Sequence, residues 1–299
     1  MSETPAKYEV ATRADAVPAT VFRREPPDVY HASGALSATG FKRFLVSPLH
    51  FQHYRATGGG DSPALAFGRL FHTLALEPDT FAERYAIAPE CDKRTKSGKA
   101  EYAAFLESIA DREAVTDDGV HRAEKMAVAV RGIIPLAGRV EATVRVTSQY
   151  GALQCRPDKI GDDGVIWDLK STRSAAGFDR AMYGYGYHWQ DAFYRHVMML
   201  ATGTLPPPIR FVAVESTEPH DVIVRTVEET LYGYMRPQLE AKLQQYAECV
   251  ASGSWPGIDG DGGVKAVPVP VWVERELDDT ETGGDVASVL DSMFGPEGE

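Results

Sequence analysis

The sequence predicts an α/β (α+β) fold: a central mixed β-sheet flanked by helices, with a helical N-terminal part. Three observations predict it. Residues 63–78 place Leu65, Phe67, Leu70, Phe71, Leu74 and Ala75 at helical spacing, closed by Pro78. Segments 139–147, 152–160 and 165–170 instead alternate or run apolar like strands, separated by turn-like SQYG and GDDG. Leu231, Met235, Leu239, Leu243, Tyr246 and Val250 then return three or four apart, as on an amphipathic helix.

The remaining elements follow in order. Residues 1–29, with Pro5, Pro18, Pro26 and Pro27, read as an extended leader without the apolar stretch of a signal peptide. Ser37 is a candidate N-cap for a helix carrying Phe41, Phe44 and Leu45, and Ser47-Pro48 interrupts it. Gly58-Gly59-Gly60 breaks the chain before the helix at 63–78. Residues 92–99 form a polar loop with four basic side chains, and 100–112 and 120–137 read as helices. The three strand-like segments suggest an antiparallel meander. Helices are expected at about 175–183 and 187–201, strands at 209–216 and 221–227, and one domain over 30–258. Residues 259–299 shift to Gly, Pro and acids and read as a tail whose first part packs on the domain.

The chain has 299 residues, 43% of them hydrophobic, enough for one large domain or two small ones. No run of ~18 apolar residues predicts a membrane span. Cys91, Cys155 and Cys249 are far apart and form no CxxC pair, which argues against a disulfide framework and a cysteine-rich zinc or iron–sulfur site. The formal net charge of −12 argues against a protein that coats nucleic acid nonspecifically. It leaves room for a basic face, because an acidic tail also enters the sum.

The chemistry concentrates in two neighbouring strands. Pro157-Asp158 ends one, and Asp168-Leu169-Lys170 lies on the next. Residues two apart on a strand share a face, so Asp168 and Lys170 point the same way. A turn at 161–164 brings Asp158 beside Asp168. Two adjacent carboxylates repel unless a cation lies between them, and hard oxygen ligands suit Mg²⁺ or Mn²⁺. A lysine beside them can orient and help deprotonate a metal-bound water, or stabilise charge on a phosphate, which together make a toolkit for phosphodiester hydrolysis. The same residues taken alone also suit an exposed hairpin with an Asp–Lys ion pair. Gly68 to His72 is a G-x3-H on an apolar helix, where Gly68 is expected to let the helix approach the sheet. His72 alone suits a core histidine equally well. Gln190 and Tyr194 share one helical face, an ordinary amphipathic spacing. Glu141 lies on the strand preceding Asp158.

The order G-x3-H, E, P-D, D-x-K, Q-x3-Y resembles the RecB-like branch of the PD-(D/E)XK nucleases, and most closely the exodeoxyribonuclease VIII (RecE-type) recombination exonucleases of phages and prophages. The resemblance runs over about residues 30–275. It includes YHASGALSATGFKRFLVSPLHF, ALAFGRLFHTLALEP, DKRTKSGKA, CRPD, WDLKST, YHWQDAFYR and PVPVW. It implies a restriction-endonuclease-like core, with His72, Asp158, Asp168 and the Leu169 carbonyl as metal ligands and Lys170 as the catalytic lysine. Gln190 and Tyr194 would shape the site, and Glu141 would be a secondary metal or water ligand. It further implies Mg²⁺ or Mn²⁺, two per site, and a ring-forming homo-oligomer in the cytoplasm of a bacterial or phage-infected cell. The implied activity is 5′→3′ digestion of linear double-stranded DNA, leaving 3′ single-stranded tails. Ser37, Lys42 and Arg43 near the first helix are candidates to meet a DNA end. Arg84, Lys93, Arg94, Lys96 and Lys99 are candidates to meet phosphates. The acidic tail is expected to contact a single-strand annealing protein. Two other readings stay open: a catalytically silent DNA-binding or assembly protein on this fold, and another RecB-like nuclease of repair or defence.

Overall fold

The computed structural model describes residues 20–260 and 263–275. The chain divides into two compact units after Ile258. The described part of the first opens on a strand, β1 (Thr20–Arg24), inside the segment expected as a leader, followed by α1 (Pro27–Ala32). Ser37 caps α2 (Ala38–Val46) as expected, its side chain accepting from the Gly40 amide. Ser47 ends that helix and caps α3 (Pro48–Thr57), with Pro48 in the first turn, where a missing N–H costs nothing. The apolar run becomes α4 (Pro63–Leu76), capped by Ser62. A short α5 (Phe81–Arg84) leads to β2 (Tyr85–Ile87), which pairs in parallel with β3 (Glu113–Val115) around α6 (Lys96–Ser108). Helix α7 (Asp117–Ala129) is shorter than expected: Gly132, at φ 86, and Pro135 stop it well before residue 137.

The expected meander is corrected. Strands β4 (Arg139–Val140) and β5 (Ala142–Ser148) are separate, as are β6 (Gly151–Cys155) and β7 (Lys159–Ile160), before β8 (Ile166–Thr172). Strands β5 and β6 pair in a three-stranded sheet of order β1-β5-β6. After α8 (Phe178–Gly184) and α9 (Tyr187–Thr202) come β9 (Arg210–Glu215) and β10 (Val222–Arg225), and these complete a five-stranded sheet of order β10-β9-β8-β7-β4. The break between sheets has a local cause. Glu141 stands at φ 49, in left-handed backbone that cannot continue a ladder. Beside Asp158, which faces it, Pro157 offers no N–H to a strand partner.

Strands β8 and β9 run parallel and β7 and β8 antiparallel, so the sheet is mixed. Alternation sorts its two faces. Ile166, Phe211 and Ala213 pack with α9 and with α10 (Leu231–Ser252), whereas Trp167, Leu169, Val212 and Val214 pack with Leu70 and Phe71 of α4 and Met126 of α7. Of the stripe expected on α10, Met235, Leu239, Leu243 and Tyr246 are buried, while Val250 near its end is exposed. In the second unit, Val264, Val267 and Trp272 are exposed, and Lys265 Nζ donates to the Asp259 carbonyl (3.1 Å). The acidic run beyond residue 275 lies outside the described residues. No helix among those described is long and apolar enough to cross a membrane.

Candidate active site

The site forms where the two sheets separate, between α4 on one face and α9 on the other. The tight turn after β7 is closed by Gly161 N donating to Val165 O (2.9 Å), with Gly164 at φ 79. It aligns Lys159 with Trp167, which leaves Asp158 level with Asp168, as the sequence predicts. Asp158 Oδ2 accepts from the Leu169 amide at 2.7 Å. Its other oxygen faces His72 Nδ1 at 3.5 Å, and His72 Nε2 lies 3.1 Å from the Leu169 carbonyl. A Cβ on Gly68 would meet nothing within 4 Å, so close approach of α4 does not need that glycine, contrary to expectation.

Asp168, 2% exposed, accepts from Gln190 Nε2 (2.7 Å) through Oδ2 and pairs with Lys170 through Oδ1. The shared face of Asp168 and Lys170, and the reach of Gln190, are thus as the strand and helix periods require. Tyr194, one turn further along α9, is buried and donates from its hydroxyl to the Arg156 carbonyl (3.3 Å). Glu141 is bound through Oε2 to Arg156 Nε (3.0 Å), and the Arg156 guanidinium lies 4.5 Å from the Tyr30 ring.

His72, Glu141 and Asp158 present ligand atoms within 4.8 Å of one another. An imidazole and two carboxylates, with the Leu169 carbonyl beside them, are a donor set that fits a divalent cation of the Mg²⁺ or Mn²⁺ type. The charged groups of the site act strongly on one another. Burial opposes charge on His72, yet Asp158, and then Glu141, raise its pKa to about 9. Burial, then Asp158, pushes Glu141 up to about 7. Asp158 is held below the carboxylate range because the nearby His72 outweighs its burial. Asp168 is raised by burial, against the pull of Lys170, with Asp158 adding to the rise. Lys170 is raised as well: burial opposes its charge, and Asp168 and Asp158 outweigh it. The two carboxylates thus favour the charged form of Lys170 in the metal-free site.

The other expected contacts lie elsewhere. Ser37 lines a cavity of about 310 Å³ with His31, Arg55 and Gln154. Arg43 is exposed. Lys93, Arg94, Lys96 and Lys99 are exposed on α6 and the loop before it, where Lys93 Nζ lies 3.3 Å from the Tyr102 ring centre and Arg94 pairs with Asp92 (3.2 Å). Arg84 binds the buried Glu77 (2.8 Å), an ion pair that holds α4 to its neighbour and engages its charge. Sequence reasoning missed Arg156 and Tyr187, whose ring lies 4.9 Å from Lys170 Nζ. The only signal for either was its place beside a motif, in RPD and in YHWQ.

This geometry agrees with what the chain is similar to. The family described as a PDDEXK-like domain of unknown function (DUF3799) matches residues 37–262. No curated protein matches. Among solved structures, a protein of Eubacterium rectale described as a "Putative exonuclease" superposes with a TM-score of 0.55 at 14% identity, over 84% of this chain and 98% of that one. At that identity the likeness speaks for the fold, and the fold is the restriction-endonuclease-like core expected from the motifs. With three quarters of its length matched by one family and the P-D, D-x-K and Q-x3-Y residues gathered at one sheet junction, the chain belongs to the PDDEXK-like family DUF3799, within the PD-(D/E)XK superfamily.

Proposed function

We propose that the protein is a metal-dependent deoxyribonuclease that digests linear double-stranded DNA 5′→3′ and leaves 3′ single-stranded tails for recombination. The observation that carries the hydrolytic part is the continuity of one connected, half-buried unit. His72, Glu141 and Asp158 converge on one point, and the Leu169 amide ties that point to the Asp168–Lys170 pair. A divalent cation bound there, two in the resemblance, supplies Lewis acidity toward the phosphate and a more acidic water. The protein's own groups do the rest. His72, Asp158, Glu141, the Leu169 carbonyl and, in the resemblance, Asp168 would hold the cation. Lys170, paired with Asp168, holds a non-bridging phosphate oxygen or orients the water. Gln190 fixes Asp168, and Tyr194 fixes the Arg156 backbone that carries Glu141's partner.

Polarity, end dependence, a ring-shaped homo-oligomer, an annealing partner and a cytoplasmic location come from the RecE-type resemblance and belong to the same proposal. Ser37, beside Arg55 in its cavity, supports a contact with a DNA end, and the exposed Lys93, Arg94, Lys96 and Lys99 suit duplex phosphates. The test is digestion of linear duplex labelled at either 5′ or 3′ end, beside closed circular duplex, with Mg²⁺ and with excess chelator. Release from the 5′ end with Mg²⁺ only, sparing the circle, is the expected result. Cleavage in chelator would remove the metal chemistry, and rapid loss of the circle would remove the end dependence.

A further inference from the structure

Beside Lys170 lies a set of side chains that the proposed hydrolysis leaves without a task. Tyr187, at the start of α9, stacks on buried Phe211 of β9, with ring centres 5.5 Å apart and planes at 19°. Lys170 Nζ and Lys42 Nζ stand 4.9 Å and 5.6 Å from the Tyr187 ring centre. Tyr185 comes next, its ring centre 5.9 Å from that of Tyr187. It is 67% exposed. The turn that presents it is nonetheless firmly set. Gly186 takes φ 68, a Cβ there would come within 3.2 Å of Lys42 Cδ, and Lys42 Nζ donates to the Tyr185 carbonyl (3.3 Å). The backbone and Lys42 thus hold Tyr185 in place, while its ring stays open to solvent one ring away from the candidate catalytic lysine. Steps of 4.9 Å and 5.9 Å, through the Tyr187 ring, link the Lys170 ammonium to the Tyr185 ring.

We propose that Tyr185 is a stacking seat for the base of the nucleotide whose phosphate meets Lys170. The assignment rests on the nuclease reading above. A base inside a duplex is covered on both faces by its neighbours, so only an unpaired base has a face to offer. The seat therefore selects a frayed or single-stranded end at the point of cleavage, with Lys42 adding a positive charge beside the same nucleotide. Aromatic stacking is tolerant of sequence because every base has a π-face.

The test uses the full chain on short linear duplexes ending in a mismatch, with Tyr185→Ala, Tyr185→Phe and Tyr185→Trp. Tyr185→Ala is expected to raise KM about 10-fold with little change in kcat, within the range of one lost base stack, and the two aromatic variants to stay near wild type. An abasic residue at the cleaved position should impose the same loss on wild type and none further on Tyr185→Ala. An unchanged KM, or an equal additional loss on the abasic substrate, would overturn the seat while leaving the nuclease reading intact. Binding is read separately, in the wild-type protein with Ca²⁺ in place of Mg²⁺ to hold back cleavage, from quenching of a terminal 2-aminopurine. Quenching that Tyr185→Ala abolishes supports the seat even if no cleavage is found. Absence of both quenching and cleavage overturns both readings.

Discussion

The amide of Glu141 donates to the carbonyl of Asp158 at 3.0 Å, at the level where both segments leave one sheet for the other. Strands β5 and β6 pair up to Cys155 on one side of this bond, and β4 and β7 resume at Val140 and Lys159 on the other. Two candidate ligands therefore sit on the two sides of a single bent hairpin. The bend turns their side chains toward His72, where a straight hairpin would send them along a regular sheet face.

Glu141 occupies backbone that costs a non-glycine residue ~1–2 kcal/mol. Glu141→Gly and Glu141→Ala both remove the carboxylate and the Arg156 ion pair, but only glycine relieves the backbone. The glycine variant is expected to be more stable than the alanine variant by about 1 kcal/mol in urea denaturation without metal, and both to bind Mn²⁺ more weakly than wild type. Equal stability of the two variants would show that the left-handed conformation is not held in solution.

Lys170→Ala leaves Asp168 buried without its cation. Removing one partner of a buried pair costs ~3–5 kcal/mol, and neutralising the survivor recovers much of it. Lys170→Ala should therefore lower the stability clearly, and Lys170→Ala with Asp168→Asn should regain most of the loss. Both should show no measurable cleavage. A single mutant as stable as wild type would mean that Asp168 is neutral in the folded protein and Lys170 pairs elsewhere.

In the absence of metal His72 carries a proton, since Asp158 holds its pKa near 9. A cation must displace that proton, so binding is weakened as pH falls below 9 and strengthened as pH rises toward it, by up to about tenfold per unit. At fixed Mn²⁺ the rise in Tm on adding metal should grow from pH 6 to pH 9. In His72→Ala the rise should be small, and above pH 7, where Glu141 has lost its proton, nearly flat. A metal shift that is independent of pH in wild type would place the cation away from His72.

Periodicity located the parts of this site that periodicity governs. Asp168 and Lys170 share a face because they are two apart on β8, and Asp158 reaches Asp168's level because a four-residue turn leaves no other register. Gln190 and Tyr194 share a face because they are four apart on α9. What stayed hidden depends on backbone direction and on contacts far apart in sequence. Nothing in RVEATVRVT says that Glu141 will break the strand, because glutamate rarely takes φ 49 and the hydrogen bond that holds it is donated to the distant Asp158 carbonyl. The splitting of the meander into two sheets follows from that bend. So does Glu141's promotion from a secondary candidate to a neighbour of His72 and Asp158. The place of Tyr185 was equally illegible, since Lys42, which binds its carbonyl, and Phe211, on which Tyr187 stacks, lie on other elements.

The last expectation concerns stability away from the site. His196 on α9 is 2% exposed, its Nδ1 lies 3.2 Å from the Tyr232 hydroxyl, and its Nε2 has no hydrogen-bond partner among the described residues. Burial, only partly countered by Glu240, lowers its pKa from 6.5 to about 4. A depressed pKa means that the fold prefers the neutral ring. The resulting stability is complete above pH 6.5 and is lost as pH falls toward 4, by about 3 kcal/mol over the whole window. Asp191, raised by burial to about 6, works in the opposite sense, but its contribution is common to wild type and variant and cancels in their difference. His196→Gln cannot titrate and still offers Tyr232 a polar partner. It should be less stable than wild type at pH 7 by about 1 kcal/mol, and the gap should close or reverse by pH 4. Urea denaturation of both proteins at pH 7, 5.5 and 4 measures this, and a gap that stays constant across the three would show that His196 can be protonated without cost in the folded protein.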